Sequence, residues 1–178
     1  MILFTRSVML YIGLAWLLHC GLGQAKAADQ DMTDTEKSAK ITAMYQDYKK
    51  DFPSVQDIEP AEAMRLFQDG QALFIDVREE KEQTVSMLPG AITEKQFLKD
   101  PKQYQDRTLI GYCTISYRSG KLAEKLKAQG ITLLNLKGGL LSWVHAGGKV
   151  YNQNSETKRI HVYGKKWNLG PKDYEAVW

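Results

Sequence analysis

Leu109-Ile110-Gly111-Tyr112-Cys113-Thr114-Ile115-Ser116-Tyr117-Arg118-Ser119-Gly120, followed by Lys121-Leu122-Ala123-Glu124-Lys125-Leu126-Lys127-Ala128, reads as a buried strand, a tight turn and a helix. Residues 109–112 form a short apolar run, and residues 121–128 carry helical periodicity. A cysteine at such a turn sits where several backbone N–H groups converge on one point. The N-terminus of the following helix adds partial positive charge there. Both effects favour the thiolate, which is the nucleophilic form of a thiol. Arg118 adds a permanent charge to the same loop.

The pattern repeats outward from this turn. Ala72-Leu73-Phe74-Ile75-Asp76-Val77 is apolar, short and bounded by turn residues, as a buried strand should be. Shorter strands are predicted over 55–58, around Ile92 after the turn Pro89-Gly90-Ala91, and over 132–136. Helices are predicted over 36–51, 61–68, 79–84, 94–99 and 119–129, with a last one opened by Gly138-Gly139 and running to Val144. In the first of these Ile41, Met44, Tyr45 and Tyr48 share one face, and Pro53 ends it. Strands alternating with helices specify an α/β domain with a mostly parallel sheet. In such sheets ligands bind beyond the carboxyl ends of the strands, where Cys113 follows Tyr112.

The chain has 178 residues, enough for one domain with extensions. Its net charge of +3 comes from basic residues interspersed with acidic ones, which points away from nucleic-acid binding. Residues 1–28 read as a secretory leader: Arg6, an apolar stretch over 7–23, then Ala25-Lys26-Ala27 as a cleavage site before Ala28. The expectation is export, to a periplasmic compartment, with an uncleaved membrane anchor as the alternative. Cleavage removes Cys20, so Cys113 has no partner for an internal disulfide. Residues 29–54 form an N-terminal helical extension, 55–150 the central domain, and 151–178 an extension rich in Tyr and Trp. One more strand is predicted there, over 159–163. The extension is expected to fold back over its own domain, the alternative being a surface for a protein partner. His145 and His161 have no ligand-like spacing to each other or to Cys113, and no metal is expected.

Four blocks, in order, resemble those of single-domain, rhodanese-like sulfurtransferases. Phe74-Ile75-Asp76-Val77-Arg78-Glu79 is similar to the family's strand-and-turn block, and Leu88-Pro89-Gly90-Ala91-Ile92 to its proline-glycine-alanine turn. The stretch from Cys113 to Ser119 resembles its active-site loop, and Gly138-Gly139-Leu140-Leu141-Ser142-Trp143 its closing helix. The resemblance implies a five-stranded, mostly parallel sheet flanked by helices. It implies that Cys113 takes a sulfane sulfur from a donor such as thiosulfate, becomes a persulfide, and passes the sulfur to cyanide or a thiol, with a protein acceptor also conceivable. No cofactor is required, because one cradle of main-chain amides from Thr114 to Ser119 serves the thiolate and the persulfide in turn.

Around Cys113, the expected substrate-contacting residues are Thr114, Ile115, Ser116, Tyr117, Arg118 and Ser119. Arg118 is expected to hold the sulfonate oxygens of an anionic donor, the alternative being a salt bridge to a nearby acid. Ser119 is expected to cap the helix. Asp76 and Arg78 are expected to form an ion pair that fixes the turn beside the loop. Two positions depart from the family pattern. Ser86-Met87-Leu88 stands where Gly-His-Ile is common, and Ser116 stands where glycine is frequent; serine fits there only if φ is negative. Rival functions are a rhodanese-fold binding module with little or no catalysis, and a cysteine phosphatase or arsenate reductase. The latter enzymes have five residues between cysteine and arginine, whereas four separate Cys113 from Arg118.

Overall fold

Side chains alternate along the two central strands and divide the core into two layers. Strand β2 (Ala72–Asp76) sends Ala72 and Phe74 to one face and Leu73 and Ile75 to the other. Strand β4 (Thr108–Tyr112) sends Ile110 and Tyr112 to the first face and Leu109 to the second. With both faces covered, β2 is buried along its whole length, as expected for a strand inside a parallel sheet. The computed structural model describes residues 31–178, and the expected leader over 1–28 lies outside them.

Three short strands complete the sheet: β1 (Asp57–Ile58), β3 (Ile92–Thr93) and β5 (Leu134–Leu136). The order is β1-β5-β4-β2-β3, and every neighbouring pair is parallel. The register sets Phe74 beside Ile110 and Asp76 beside Tyr112. The second face is covered by α1 (Asp34–Lys49) and α5 (Tyr117–Lys127), through Tyr45, Leu122, Ala123 and Leu126. The first face is covered by α2 (Pro60–Gln68) and α6 (Gly139–His145), through Ala63, Leu140, Leu141, Trp143 and Val144. Two single-turn helices, α3 (Glu80–Gln83) and α4 (Glu94–Phe97), flank β3 in sequence.

Helix boundaries follow their capping residues. The first helix starts two residues before its predicted position because Thr33 and Glu36 form a reciprocal capping box. Helix α5 likewise starts at Tyr117, with Ser116 at the N-cap position. The expectation that Ser119 caps α5 is therefore corrected. Ser119 lies inside the helix, and its buried hydroxyl donates to Asn135 Oδ1 at 2.6 Å.

The C-terminal extension forms a hairpin of β6 (Val150–Asn152) and β7 (Ser155–Thr157), then a parallel pair of β8 (Arg159–His161) and β9 (Glu175–Val177). The predicted strand over 159–163 ends at His161, and Tyr163 turns with φ +66°. Val150, Ile160, Val162 and Leu169 join the core layer of Phe74 and Leu140. The extension thus folds back on its own domain, and residues 32–178 make one compact unit. No helix among the described residues is long and apolar enough to cross a membrane.

Candidate functional site

Cys113 continues the alternation of β4, which places its side chain in the layer under α5, with Leu109 and Leu122. The residue is only 2% exposed, yet it forms the floor of a cavity of about 400 Å³ together with Thr114 and Ile115. The Ser116 N–H donates to Cys113 Sγ at 3.1 Å. The amides of Tyr117, Arg118 and Ser119 open α5 and, among the described residues, have no carbonyl partner, as first-turn amides should not. Four donors therefore surround the start of α5 where an anionic sulfur would be stabilised.

Helix α6 holds the loop from behind. Leu140 N–H donates to the Cys113 carbonyl at 2.9 Å and Leu141 N–H to the Thr114 carbonyl at 3.2 Å. In a trans peptide the N–H opposes the C=O, so the amides of Thr114 and Ile115 point away from α6. Gly139 makes this contact possible. It has φ +59°, and a Cβ there would lie 2.3 Å from the Cys113 carbonyl oxygen.

Ser116 corrects an expectation. Its φ is +68°, the left-handed region, although serine was expected only with negative φ. Such a conformation costs of order 1–3 kcal/mol for a non-glycine residue and persists only where neighbours over-determine it. Here all three polar groups of Ser116 are held. Its N–H meets Cys113 Sγ, its hydroxyl donates to the Leu136 carbonyl, and its carbonyl accepts from Asn135 Nδ2 at 3.0 Å. Asn135 also donates to Tyr45 Oη at 2.9 Å and accepts from Ser119. Ser116 and Ser119 are both fully buried and do not line the cavity, contrary to their expected contact with substrate.

Asp76 and Arg78 form the expected pair, with both side chains fully buried and Arg78 Nη2 2.7 Å from Asp76 Oδ2. Tyr112 Oη donates to Asp76 Oδ2 at 2.5 Å and accepts from Leu88 N–H at 3.1 Å. Arg78 Nη2 also donates to the Ser86 carbonyl at 2.5 Å. One carboxylate thus ties the residue preceding Cys113 to the Pro89-Gly90 turn.

Arg118 departs from its expected role as an anion clamp. Its guanidinium is engaged by Glu82 in a forked pair, Nη1 to Oε2 at 2.6 Å and Nη2 to Oε1 at 2.8 Å. The salt-bridge alternative describes it better. Burial pushes the Glu82 carboxyl up, but hydrogen bonds from Arg118 and the Glu79 amide, with the charges of Arg118 and Arg78, hold it below the usual range. For Arg118, burial acts against the charged form; Glu82 and Cys113 outweigh it and raise its pKa further, so the guanidinium stays charged. Thr114 Oγ1 donates to Glu82 Oε1 at 3.3 Å.

The cavity walls are aromatic. Tyr48 of α1 and Tyr117 of α5 meet edge-on with centroids 5.2 Å apart. Opposite chain segments supply Tyr163 and Trp167, also edge-on, at 5.3 Å. The Arg118 guanidinium lies 5.4 Å from the Tyr163 ring centroid. Tyr117 lines the cavity, and Tyr48, Tyr163, Trp167, Glu82 and Asn135 join the site without local sequence signals that mark them. Among the described residues no group of three or more metal-ligating side chains comes together.

Tyr163 is held by His161, whose Nδ1 accepts the Tyr163 N–H at 3.1 Å. Burial lowers the His161 pKa; Arg78, Lys81 and Arg118 act the same way against the opposing Glu82. The unfolded chain therefore binds this proton more readily, so the contribution of His161 to stability is complete above about pH 6.5 and is lost as pH falls through the folded value. The melting temperature is expected to decline as pH falls below about 6.5, and His161→Gln should flatten that slope. A scan of Tm against pH for both proteins checks it.

The model of the rhodanese-like domain family matches residues 59–146. Residues 59–146 are a rhodanese-like domain. An uncharacterized protein of Synechocystis is 31% identical over 94 residues, covering 51% of this chain and 52% of its own. The chain thus spans about half the length of that curated relative. Among solved structures, a rhodanese-related protein of Thermoplasma volcanium has a TM-score of 0.48 at 22% identity, over 55% of this chain and 99% of that one. A protein of unknown function from Rhodopseudomonas palustris, described as a possible tyrosine phosphatase, has a TM-score of 0.49 at 23% identity, over 62% and 93%. A thiosulfate sulfurtransferase of Pseudomonas aeruginosa has a TM-score of 0.45 at 14% identity, over 67% and 23%. The rhodanese-like segment contains Cys113, Glu82 and α6, whereas Tyr48, Tyr163 and Trp167 lie outside it.

Proposed function

We propose that the protein is a sulfurtransferase whose Cys113 carries sulfane sulfur as a persulfide. The observation that carries this reading is the position of Cys113 Sγ. It lies at the floor of an open cavity, accepts the Ser116 N–H, and sits beside the free amides of α5. Uptake from thiosulfate forms the Cys113 S–S bond, breaks the sulfur–sulfur bond of the donor and releases sulfite. The electron pair leaves with sulfite, and the new persulfide keeps the negative charge. Transfer to cyanide gives thiocyanate and returns the thiolate; transfer to a thiolate gives that thiol's persulfide. The same amides face an anion in both states, so no reorganisation is needed between the half-reactions.

A phosphatase reading is disfavoured by Arg118. Both of its terminal nitrogens are forked onto Glu82, so the equatorial oxygens of a phosphoryl group would have to compete with that carboxylate for them. A binding module without catalysis would have no use for a nucleophile held among unpaired amides. Export belongs to the same proposal and rests on the apolar stretch over 7–23 and on Ala25-Lys26-Ala27. Intact mass after incubation with thiosulfate tests the function. A gain of one sulfur, located on Cys113 by peptide mapping, is the expected result. An unchanged mass with thiosulfate and with inorganic polysulfide overturns it.

A further inference from the structure

We propose that the sulfur carried by Cys113 is passed to an organic thiol with an aromatic or branched apolar body, recognised by rings from the two segments that flank the rhodanese-like domain. This rests on the sulfurtransferase reading and specifies its acceptor. Two observations carry it. The first is the composition of the walls. Tyr48 and Tyr117 form one edge-on pair and Tyr163 and Trp167 another, while Ile115 lies at the floor. The second is the state of the one charged wall residue. Arg118 is paired with Glu82 through both terminal nitrogens and lies near the Tyr163 ring, so a carboxylate already offsets its charge before a ligand arrives.

Beyond the amides at the floor, the rings and the paired Arg118 offer a hydrated acceptor such as cyanide few hydrogen bonds, so the walls do little to hold it. A cavity of about 400 Å³ also falls within the roughly 300–1,000 Å³ range of sites for organic molecules. An organic thiolate gains on both counts. Its body packs edge-on or offset against the rings, and its sulfur reaches the persulfide at the floor. The step is balanced. The acceptor thiolate attacks the terminal sulfur, the Cys113 S–S bond breaks, and its electron pair returns to the Cys113 thiolate as the acceptor becomes a persulfide.

The positions of the walls support this assignment. Tyr48 belongs to α1 and Tyr163 and Trp167 follow β8, so none of them lies within residues 59–146. Tyr163 is 53% exposed and turns with φ +66°, its amide held by His161. That hydrogen bond sets the ring over the cavity rather than letting it follow the strand.

The test uses the full chain loaded on Cys113 with thiosulfate and discharged into 2-phenylethanethiol or 2-mercaptoethanol, two thiols of similar acidity. Each rate is normalised to that thiol's rate with a small-molecule persulfide in solution. The expected result is a preference of about tenfold or more for the aromatic thiol, one ring-packing interaction being worth roughly this factor. Trp167→Ala and, independently, Tyr163→Ala should each cut that preference several-fold. A loaded wild-type protein that discharges into both thiols equally overturns the acceptor class and leaves the sulfurtransferase reading standing. A preference that survives in both variants overturns the role of the rings. Failure to load Cys113 at all overturns the underlying reading instead, so the two failures are distinguishable.

Discussion

Asp76→Asn is expected to lower the folding free energy by about 3–5 kcal/mol, the range found when one partner of a buried ion pair is removed. The size follows from what remains behind. Arg78 has a fully buried side chain, and its Nη1 already has no hydrogen-bond partner. Asp76 receives the Arg78 amide, the Arg78 Nε and Nη2, and the Tyr112 hydroxyl. An asparagine has one acceptor oxygen where two now serve, and its NH₂ would face donors. The guanidinium would be left charged and buried with nothing to neutralise it. The midpoint of urea unfolding at neutral pH measures the loss. The double variant Asp76→Asn/Arg78→Gln should lose less than the sum of the two single variants, because a neutral pair can hydrogen-bond without a stranded charge. A single variant within about 1 kcal/mol of the wild type would show that the pair is not what holds the turn.

This pair was visible in the sequence because its partners are two residues apart at the end of an obvious strand. The same holds for the sheet. β2 and β4 are continuous apolar runs, and the Cys113 turn follows β4 directly. What stayed hidden was long-range. Glu82 meets Arg118 across 36 residues, and nothing local marks it beyond its place in the capping box of α3. Asn135 reads as a polar interruption of a weak strand, yet it holds both the Ser116 carbonyl and the Ser119 hydroxyl. The positive φ of Ser116 could not be read from residue type, since serine disfavours it; one local and two long-range hydrogen bonds impose it. The aromatic residues of the extension stand out in the sequence, but no local pattern marks two of them, with Tyr48, as walls of the cavity over Cys113.

Cys113→Ser should eliminate sulfur uptake entirely while leaving the fold nearly intact. Serine is close in size, and its oxygen can still accept the Ser116 N–H that now meets Cys113 Sγ. The buried hydroxyl is therefore satisfied, and the stability cost should stay near 1 kcal/mol. The chemistry has no such substitute. An alcohol is a far weaker nucleophile than a thiol, and oxygen does not form the labile S–S linkage that stores the sulfur. Neither a mass gain with thiosulfate nor thiocyanate from added cyanide should be detectable above the uncatalysed rate, with Tm close to that of the wild type. Persisting thiocyanate formation in this variant would remove Cys113 from the mechanism, whatever the cavity binds. A phosphate ester tried on the wild-type protein supplies the contrast. Because Glu82 occupies the Arg118 fork, hydrolysis should be absent, and appreciable turnover would mean that the pair opens to admit a phosphoryl group.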